Sequence, residues 1–301
     1  RRAVVDGVRR SLATGFVYTS TDISEDLLDS AYGMLVEFFS KDQETKTSCI
    51  APGAHGQTGY TGLLVETAAS SDKPDWKEML NWASPIAGGH PLKRKFPGSY
   101  PEQLLPDAVV PGISQVLYNF HNAIAEIQKR FLRIIALGIG CHESFFDDMV
   151  TDGPTLTRAI RYPSMKGAPQ GGHIWAGAHG DINLITLLMG AQGKGLQVQN
   201  HAGKWLDAIA QPDELMINVG DMLSRHTNNK LKSTIHQVVN PPRELWGTSR
   251  YSIPFFMHPV SDMKLNCLPE CIDENNPKQF EDITAGDYLN ERLVELGLIK
   301  K

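Results

Sequence analysis

Five side chains between positions 179 and 252 have types and spacings that could bind a metal and a carboxylate together. His179 and Asp181 stand one residue apart in Ala-His-Gly-Asp-Ile-Asn-Leu-Ile-Thr-Leu-Leu (178–188). Residues i and i+2 of a strand point to one face, so a strand here sends both side chains into one pocket. His236 follows in Ser-Thr-Ile-His-Gln-Val-Val (233–239). Two imidazoles and one carboxylate suit non-heme Fe(II) and leave coordination positions open for substrate and oxygen. Arg250-Tyr-Ser252 repeats the i, i+2 spacing. A guanidinium fork matches a carboxylate, and a hydroxyl on the same strand face adds a further bond to it.

Each residue also has a plainer explanation. His-x-Asp alone occurs in many surface strands, and a lone His236 would be a core histidine bonded to backbone. Asp181, however, precedes an apolar run, where an unpaired carboxylate is costly and metal binding relieves the cost. Ile235, Val238 and Val239 put His236 in a similar setting. Arg250 could be a surface ion-pair partner, but Ile253-Pro-Phe-Phe256 implies a strand with a buried face. An arginine pointing inward there needs an anion, and a ligand carboxylate is a good candidate. His173 and His201 are set aside, His201 because it sits in a hairpin turn. A fourth protein ligand from His173 would close a site that must stay open.

The elements that must position these residues are helical first and β-rich later. Residues 3–12 form an amphipathic helix, 16–18 a strand, and Asp22 with Glu25 a capping box ahead of a second helix. Residues 48–62 are loop-like, 75–82 strand-like, and 83–111 a Pro- and Gly-rich connection. Apolar residues at three- and four-residue steps predict a long helix over 112–138, closed by Gly138 and Gly140. Strands are expected at 156–162, 173–178, 182–189, 195–199, 214–219, 233–239 and 250–257, and a last helix around 284–297. This order points to a β-sandwich or barrel with helical support. An α-rich region, 1–150, is expected to pack on a β core, 151–301, as one unit.

The chain has 301 residues, 41% hydrophobic and 21% charged, as in an ordinary soluble globular protein. A net charge of −5 with scattered Lys and Arg supplies no basic field for nucleic acid or a membrane surface. Lys93-Arg94-Lys95 is expected on a solvated loop. Four cysteines (Cys49, Cys141, Cys267, Cys271) make neither a disulfide framework nor a zinc site, so a reduced, cytoplasmic setting is expected. No apolar run approaches a membrane span. The chain begins at Arg1 rather than Met, so some preceding sequence is expected.

The stretch from Asn218-Val-Gly-Asp221 to Ser-Thr-Ile-His236-Gln-Val-Val239 resembles the segment holding the distal histidine in the isopenicillin N synthase-like iron dioxygenases. His179-Gly-Asp181, Arg250-x-Ser252 and Ile160-Arg-Tyr-Pro163 match other signatures of that family in order. Gly15-Phe-Val-Tyr18 and Asp75-Trp-Lys-Glu78 resemble its N-terminal region. The similarity covers nearly the whole chain and is strongest over 155–260. It implies a mainly β fold with helical support, a double-stranded β-helix (jelly roll), with Fe(II) on His179, Asp181 and His236. It further implies 2-oxoglutarate as co-substrate, chelating the iron at its 2-oxo acid end and held at its far carboxylate by Arg250 and Ser252. Tyr162 matches a tyrosine that reaches the same molecule. Phe256, Met79 and Asn81 fall where members contact their main substrate, and Tyr60 joins them as a candidate.

The implied activity is oxidative decarboxylation of 2-oxoglutarate by O2, coupled to hydroxylation or a related oxidation of a small organic substrate. Asp181 argues against a halogenase, since halogenating members replace this carboxylate. Two alternatives stand beside it. Isopenicillin N synthase itself uses no 2-oxoglutarate, shares the Arg-Tyr-Pro segment, and applies the equivalent Arg and Ser to its substrate's carboxylate. A non-catalytic jelly-roll ligand-binding protein is the other. The family implies a monomer or homodimer. Substrate identity would be set in 48–90 and near the C-terminal end, where motifs are thin.

Overall fold

The computed structural model describes residues 2–12, 15–67, 73–169, 172–189, 194–200, 202–211 and 214–295. His201 lies outside them. In chain order the helices are α1 (Arg2–Leu12), α2 (Glu25–Ser40), α3 (Gln43–Thr47), α4 (Pro91–Lys95), α5 (Ile113–Gly138), α6 (Asp147–Val150), α7 (Asp221–His226) and α8 (Ala285–Glu295). The strands are β1 (Phe16–Ser20), β2 (Gly59–Thr61), β3 (Glu78–Trp82), β4 (Leu156–Tyr162), β5 (Ala176–His179) and β6 (Ile185–Met189). They continue with β7 (Leu196–Gln199), β8 (Trp205–Asp207), β9 (Glu214–Val219), β10 (His236–Val238), β11 (Arg250–Ser252) and β12 (Pro254–Met257).

The apolar stripe that predicts a long helix becomes α5, burying Ile113, Leu117, Phe120, Ile124, Ile127 and Ile135. Gly140 follows it at φ 90°, a left-handed conformation that glycine adopts without strain. The cap of α2 is Ser24 rather than Asp22, with Ser24 Oγ accepting from Leu27 N at 3.3 Å. Asp22 lies two residues before that cap and pairs with Arg130 of α5 at 2.8 Å.

Two antiparallel sheets carry the molecule. The larger runs β1-β9-β6-β12-β4-β3-β2 with β11 also on β4, and the smaller runs β5-β10-β7-β8. Three strands of the larger sheet come from residues before 150, so both parts of the sequence build it. Its two faces are both buried. One face, with Leu80, Trp82, Leu187, Ile217 and Phe255, packs on α2 and α5. The other, with Met79, Ile160, Tyr162 and Met216, meets Trp175, Ala176, Leu196 and Val238 of the smaller sheet and its flank. This arrangement is a jelly roll with helical support.

The single strand expected over 250–257 is two, because β11 pairs only with β4 whereas β12 bridges β4 and β6. Part of the 48–62 loop is strand β2, paired to β3. Lys93, Arg94 and Lys95 lie on α4 rather than a loop, with Lys93 paired to Glu102 and Lys95 to Asp262. The four cysteines are free. Among the described residues no helix is long and apolar enough to cross a membrane.

Candidate active site

His179 ends β5, His236 begins β10, and the two are partners in register. Asp181 lies in the loop leaving β5, so a turn rather than strand alternation brings it alongside. Asp221 N fixes this loop by donating to Asp181 O at 2.7 Å. A Cβ at Gly180 would sit 3.2 Å from Ser233 Oγ and 3.4 Å from Asp221 Oδ1, so the tight loop leaves little room there for a larger residue. The candidate ligand atoms of His179, Asp181 and His236 all lie within 4.8 Å of one another.

Each of the three has one atom tied down and one left free. His179 Nδ1 donates to Gly177 O at 2.7 Å and His236 Nδ1 to Thr234 O at 3.2 Å, which leaves both Nε2 lone pairs available. Asp181 Oδ2 accepts from Thr186 Oγ1 at 2.6 Å and Asn218 Nδ2 at 2.7 Å. Its Oδ1 stands 3.8 Å from His236 Nε2. Burial, reinforced by His236, pushes the His179 pKa down to about 4. Burial pushes Asp181 up, but the two histidines, Asn218 and Thr186 outweigh it and hold the carboxyl below its ordinary value. A neutral His179 and an ionised Asp181 are the protonation states that metal ligation needs.

The rest of the site is one face of the larger sheet. Alternation puts Leu156, Arg158, Ile160 and Tyr162 of β4 on that face, together with Arg250, Ser252, Pro254, Phe256 and His258 along β11, β12 and just beyond. These residues line two cavities that flank the triad, and Phe256 belongs to both.

The first cavity, about 60 Å³, runs from His179, Asp181 and His236 to Tyr162, Arg250 and Ser252. Arg250 is 3% exposed, and its guanidinium lies 5.0 Å from the Tyr162 ring centre. Its Nε and Nη1 are buried and have no partner. Burial pulls its pKa down, the mark of a cation without a matching anion. A buried unpaired guanidinium is expensive, and a carboxylate brought by a ligand would relieve it. A His-Asp-His triad that could hold a metal at one end and an orphaned cation beside Ser252 at the other fit Fe(II) with a 2-oxo dicarboxylate.

The second cavity, about 200 Å³, has an apolar side of Leu156, Ile182, Phe256, Leu289 and Leu293. Its polar side carries Glu66, Asp75, Lys77 and Arg158. Lys77 Nζ lies 3.1 Å from Glu66 and 2.8 Å from Asp75, and Arg158 reaches Glu66 at 3.5 Å. Burial opposes these charges, yet Arg158 and Lys77 hold Glu66 down at about 2, and Glu66 with Asp75 pushes Lys77 up. Helix α8 closes the outer wall through Leu289, Arg292 and Leu293. The sequence motifs do not single out Glu66, Arg158, His258 or Arg292, and Lys77 falls within the quoted Asp75-Trp-Lys-Glu78 stretch without being named a site residue. Continuing the i+2 pattern from Tyr162 and Phe256 would have reached Arg158 and His258.

Of the expected substrate residues, Phe256 lines both cavities that flank the triad, and Met79, Asn81 and Tyr60 line neither. Met79 is buried between the sheets beside Trp76, Ile160 and Tyr162. Asn81 stands behind the wall, where its Oδ1 accepts from Arg158 Nε at 2.7 Å and its amide donates to Gly59 O at 3.2 Å. Tyr60 donates its hydroxyl to Glu78 Oε2 at 2.5 Å and packs on Phe38. The reason is topological: β3 lies between β4 and β2, and all five of its residues are buried. His173 bonds Pro74 O through Nδ1 at 2.9 Å, away from the triad.

Residues 154–259 match the family model of the 2OG-Fe(II) oxygenase superfamily. Residues 1–107 match the model for the N-terminal region of non-haem dioxygenases in morphine synthesis. The 2-oxoglutarate-Fe(II) type oxidoreductase hxnY of Emericella nidulans is 32% identical over 238 residues, covering 77% of this chain and 66% of that protein. A crystal structure of a 2OG-Fe(II) oxygenase family protein from Caulobacter crescentus superposes with a TM-score of 0.87 at 35% identity. It covers 97% of this chain and 94% of that one. A Neurospora crassa protein crystallised in complex with alpha-KG and thymine superposes with a TM-score of 0.81 at 27% identity, covering 98% of this chain and 92% of that one. The chain belongs to the 2OG-Fe(II) oxygenase superfamily. It is an oxidoreductase that uses Fe(II), 2-oxoglutarate and O2.

Proposed function

We propose that His179, Asp181 and His236 hold the Fe(II), and that Arg250, Ser252 and Tyr162 hold the far end of 2-oxoglutarate. The primary substrate is a small organic molecule that enters the second cavity. The observation that carries this reading is the buried, unpartnered guanidinium of Arg250 in the same cavity as the triad. Fe(II) with 2-oxoglutarate and O2 supplies an oxidant able to attack a C–H bond, with loss of carbon dioxide and formation of succinate.

The chain supplies position and shelter. The tied Nδ1 atoms aim both imidazole Nε2 lone pairs at one point, and Thr186 with Asn218 leaves Asp181 a single free oxygen. Arg250 fixes the co-substrate's direction, so its 2-oxo acid end faces the triad. Leu188, Leu196 and Val238 keep water from that cavity. Phe256, shared by both cavities, sets the approach of the substrate, and orientation of this kind accounts for much of the protein's share in catalysis. The thymine bound by the Neurospora crassa protein supports a substrate of modest size. We infer a cytoplasmic setting, supported by free thiols, and a monomer or homodimer.

The test is succinate formation by protein loaded anaerobically with Fe(II), then given 2-oxoglutarate and air without any primary substrate. Slow uncoupled turnover that disappears in His179→Ala and Asp181→Ala is expected. Iron binding without succinate in the wild-type protein would overturn the reading.

A further inference from the structure

The second cavity differs from the first in that its charges already match. Lys77 lies between Glu66 and Asp75, and Arg158 shares Glu66. Arg292, on the outer wall, pairs with Glu295 of its own helix. Each cation there has a carboxylate beside it, as Arg250 does not, although the Nε of Arg292 is buried without a hydrogen-bond partner.

Hydrogen-bonding capacity is left over at two places on the sheet face. Arg158 commits Nε to Asn81 Oδ1 at 2.7 Å and turns Nη1 toward Glu66, while its Nη2 has no partner among the described residues. His258 commits Nδ1 to Phe256 O at 3.2 Å, so its Nε2 carries a lone pair and can only accept. That nitrogen has no partner among the described residues and is not among the sealed, unpartnered atoms of the interior. Burial holds the ring neutral by pushing its pKa down to about 4. Phe256 lies between the two in the alternation, its ring centre 5.7 Å from the Arg158 guanidinium.

We propose that Arg158 and His258 determine specificity, and that this cavity takes an uncharged flat ring packed against Phe256, offering an acceptor to Arg158 and an N–H or O–H donor to His258. The proposal rests on the reading that the second cavity receives the primary substrate. An anionic substrate is disfavoured, because it would add a charge to a wall whose charges already cancel.

The test is anaerobic calorimetry on the Fe(II)- and 2-oxoglutarate-loaded protein with three probes. The probes are 4-pyridone, with an N–H opposite a carbonyl; 1-methyl-4-pyridone, without the donor; and benzoate, an anion. 4-Pyridone is expected to bind the wild-type protein at least about tenfold more tightly than either other probe, the scale of one well-made hydrogen bond. His258→Phe and His258→Ala each erase the preference over the methylated ring, whereas His258→Gln, which keeps an acceptor, retains it. Arg158→Met weakens both pyridones about tenfold. The proposal is overturned if the methylated ring or benzoate binds the wild-type protein as tightly as 4-pyridone. It is equally overturned if none of the probes binds, or if either His258→Phe or His258→Ala keeps the preference. Because oxygen is absent, these outcomes are independent of succinate formation, which tests the catalytic reading separately.

Discussion

The two cavities share a sheet face and a phenylalanine but treat charge in opposite ways. On the Tyr162–Arg250 side a guanidinium is buried with two nitrogens unpartnered. On the Arg158–His258 side Lys77 and Arg158 are matched by Glu66 and Asp75 within 3.5 Å. A buried charge without a partner is costly unless a ligand brings one, which is why we propose that the first cavity receives an anion in every cycle. The second cavity supplies its own counter-charges, which lets it select by shape and hydrogen bonding. In the proposed reading, one fold separates a charge-defined co-substrate from a substrate defined by its hydrogen-bonding edge.

The sharpest way to break this contrast is Glu66→Gln. Arg158 would then lose its carboxylate and Lys77 would keep Asp75 alone, and breaking a buried ion network of this kind costs about 3–5 kcal/mol. Urea denaturation should show that loss, and benzoate should gain on 4-pyridone in binding. A variant as stable as the wild-type protein would mean that the charges are not coupled.

The opposite face of the same strand predicts acid sensitivity. His121 on α5 bonds Thr157 Oγ1 at 2.7 Å, and burial lowers its pKa from an ordinary 6.5 to about 4. A depressed histidine pKa means the folded state favours the neutral ring. This stability is full above pH 6.5 and declines as pH falls toward 4, by up to about 3 kcal/mol. Denaturation at about pH 7.5 and about pH 5 should show a smaller loss in His121→Leu than in the wild-type protein.

Between the cavities, Asn218→Ala removes one of two donors holding Asp181. Iron affinity should fall about 10- to 100-fold in competition with a chelator. An unchanged affinity would assign Asn218 to packing alone. The smallest effect belongs to Tyr60→Phe, which removes the hydroxyl's bond to Glu78 and the one it accepts from Gln43 and should cost about 1–2 kcal/mol of stability. It should leave ring binding as it was, since Tyr60 lines neither cavity.

The triad and the Arg250–Ser252 pair were legible because their residue types are costly inside a protein and their spacings are short. His179, Asp181 and His236 meet as expected, though by way of a loop after β5. α5, β4 and β9 also stand where periodicity puts them, since a long apolar stripe or a buried run has few other uses. The second cavity was legible only as Phe256 and as two regions, 48–90 and the C-terminal end, which supply Glu66, Asp75 and Lys77 and Leu289, Arg292 and Leu293, and not as individual charged residues. Glu66, Lys77, Arg158 and Arg292 come from distant parts of the chain, and their charges look like any solvated face until the fold pairs them. Met79, Asn81 and Tyr60 fail as wall residues because β3 and β2 lie behind β4, a matter of strand order that no local pattern carries. Ser24 rather than Asp22 caps α2 because the helix begins at Glu25, which makes Ser24 the residue next to its first turn.

The contrast between the cavities is tested most directly by titrating the anaerobic Fe(II) protein with 2-oxoglutarate and with 2-oxopentanoate, following the metal-to-ligand absorption band. The two acids share the chelating end, and only 2-oxoglutarate carries the far carboxylate. Arg250 should make 2-oxoglutarate bind about 100-fold or more tightly, a preference that Arg250→Met removes. Equal affinity for the two acids in the wild-type protein would contradict the assignment of Arg250 and the division of the sheet face built on it.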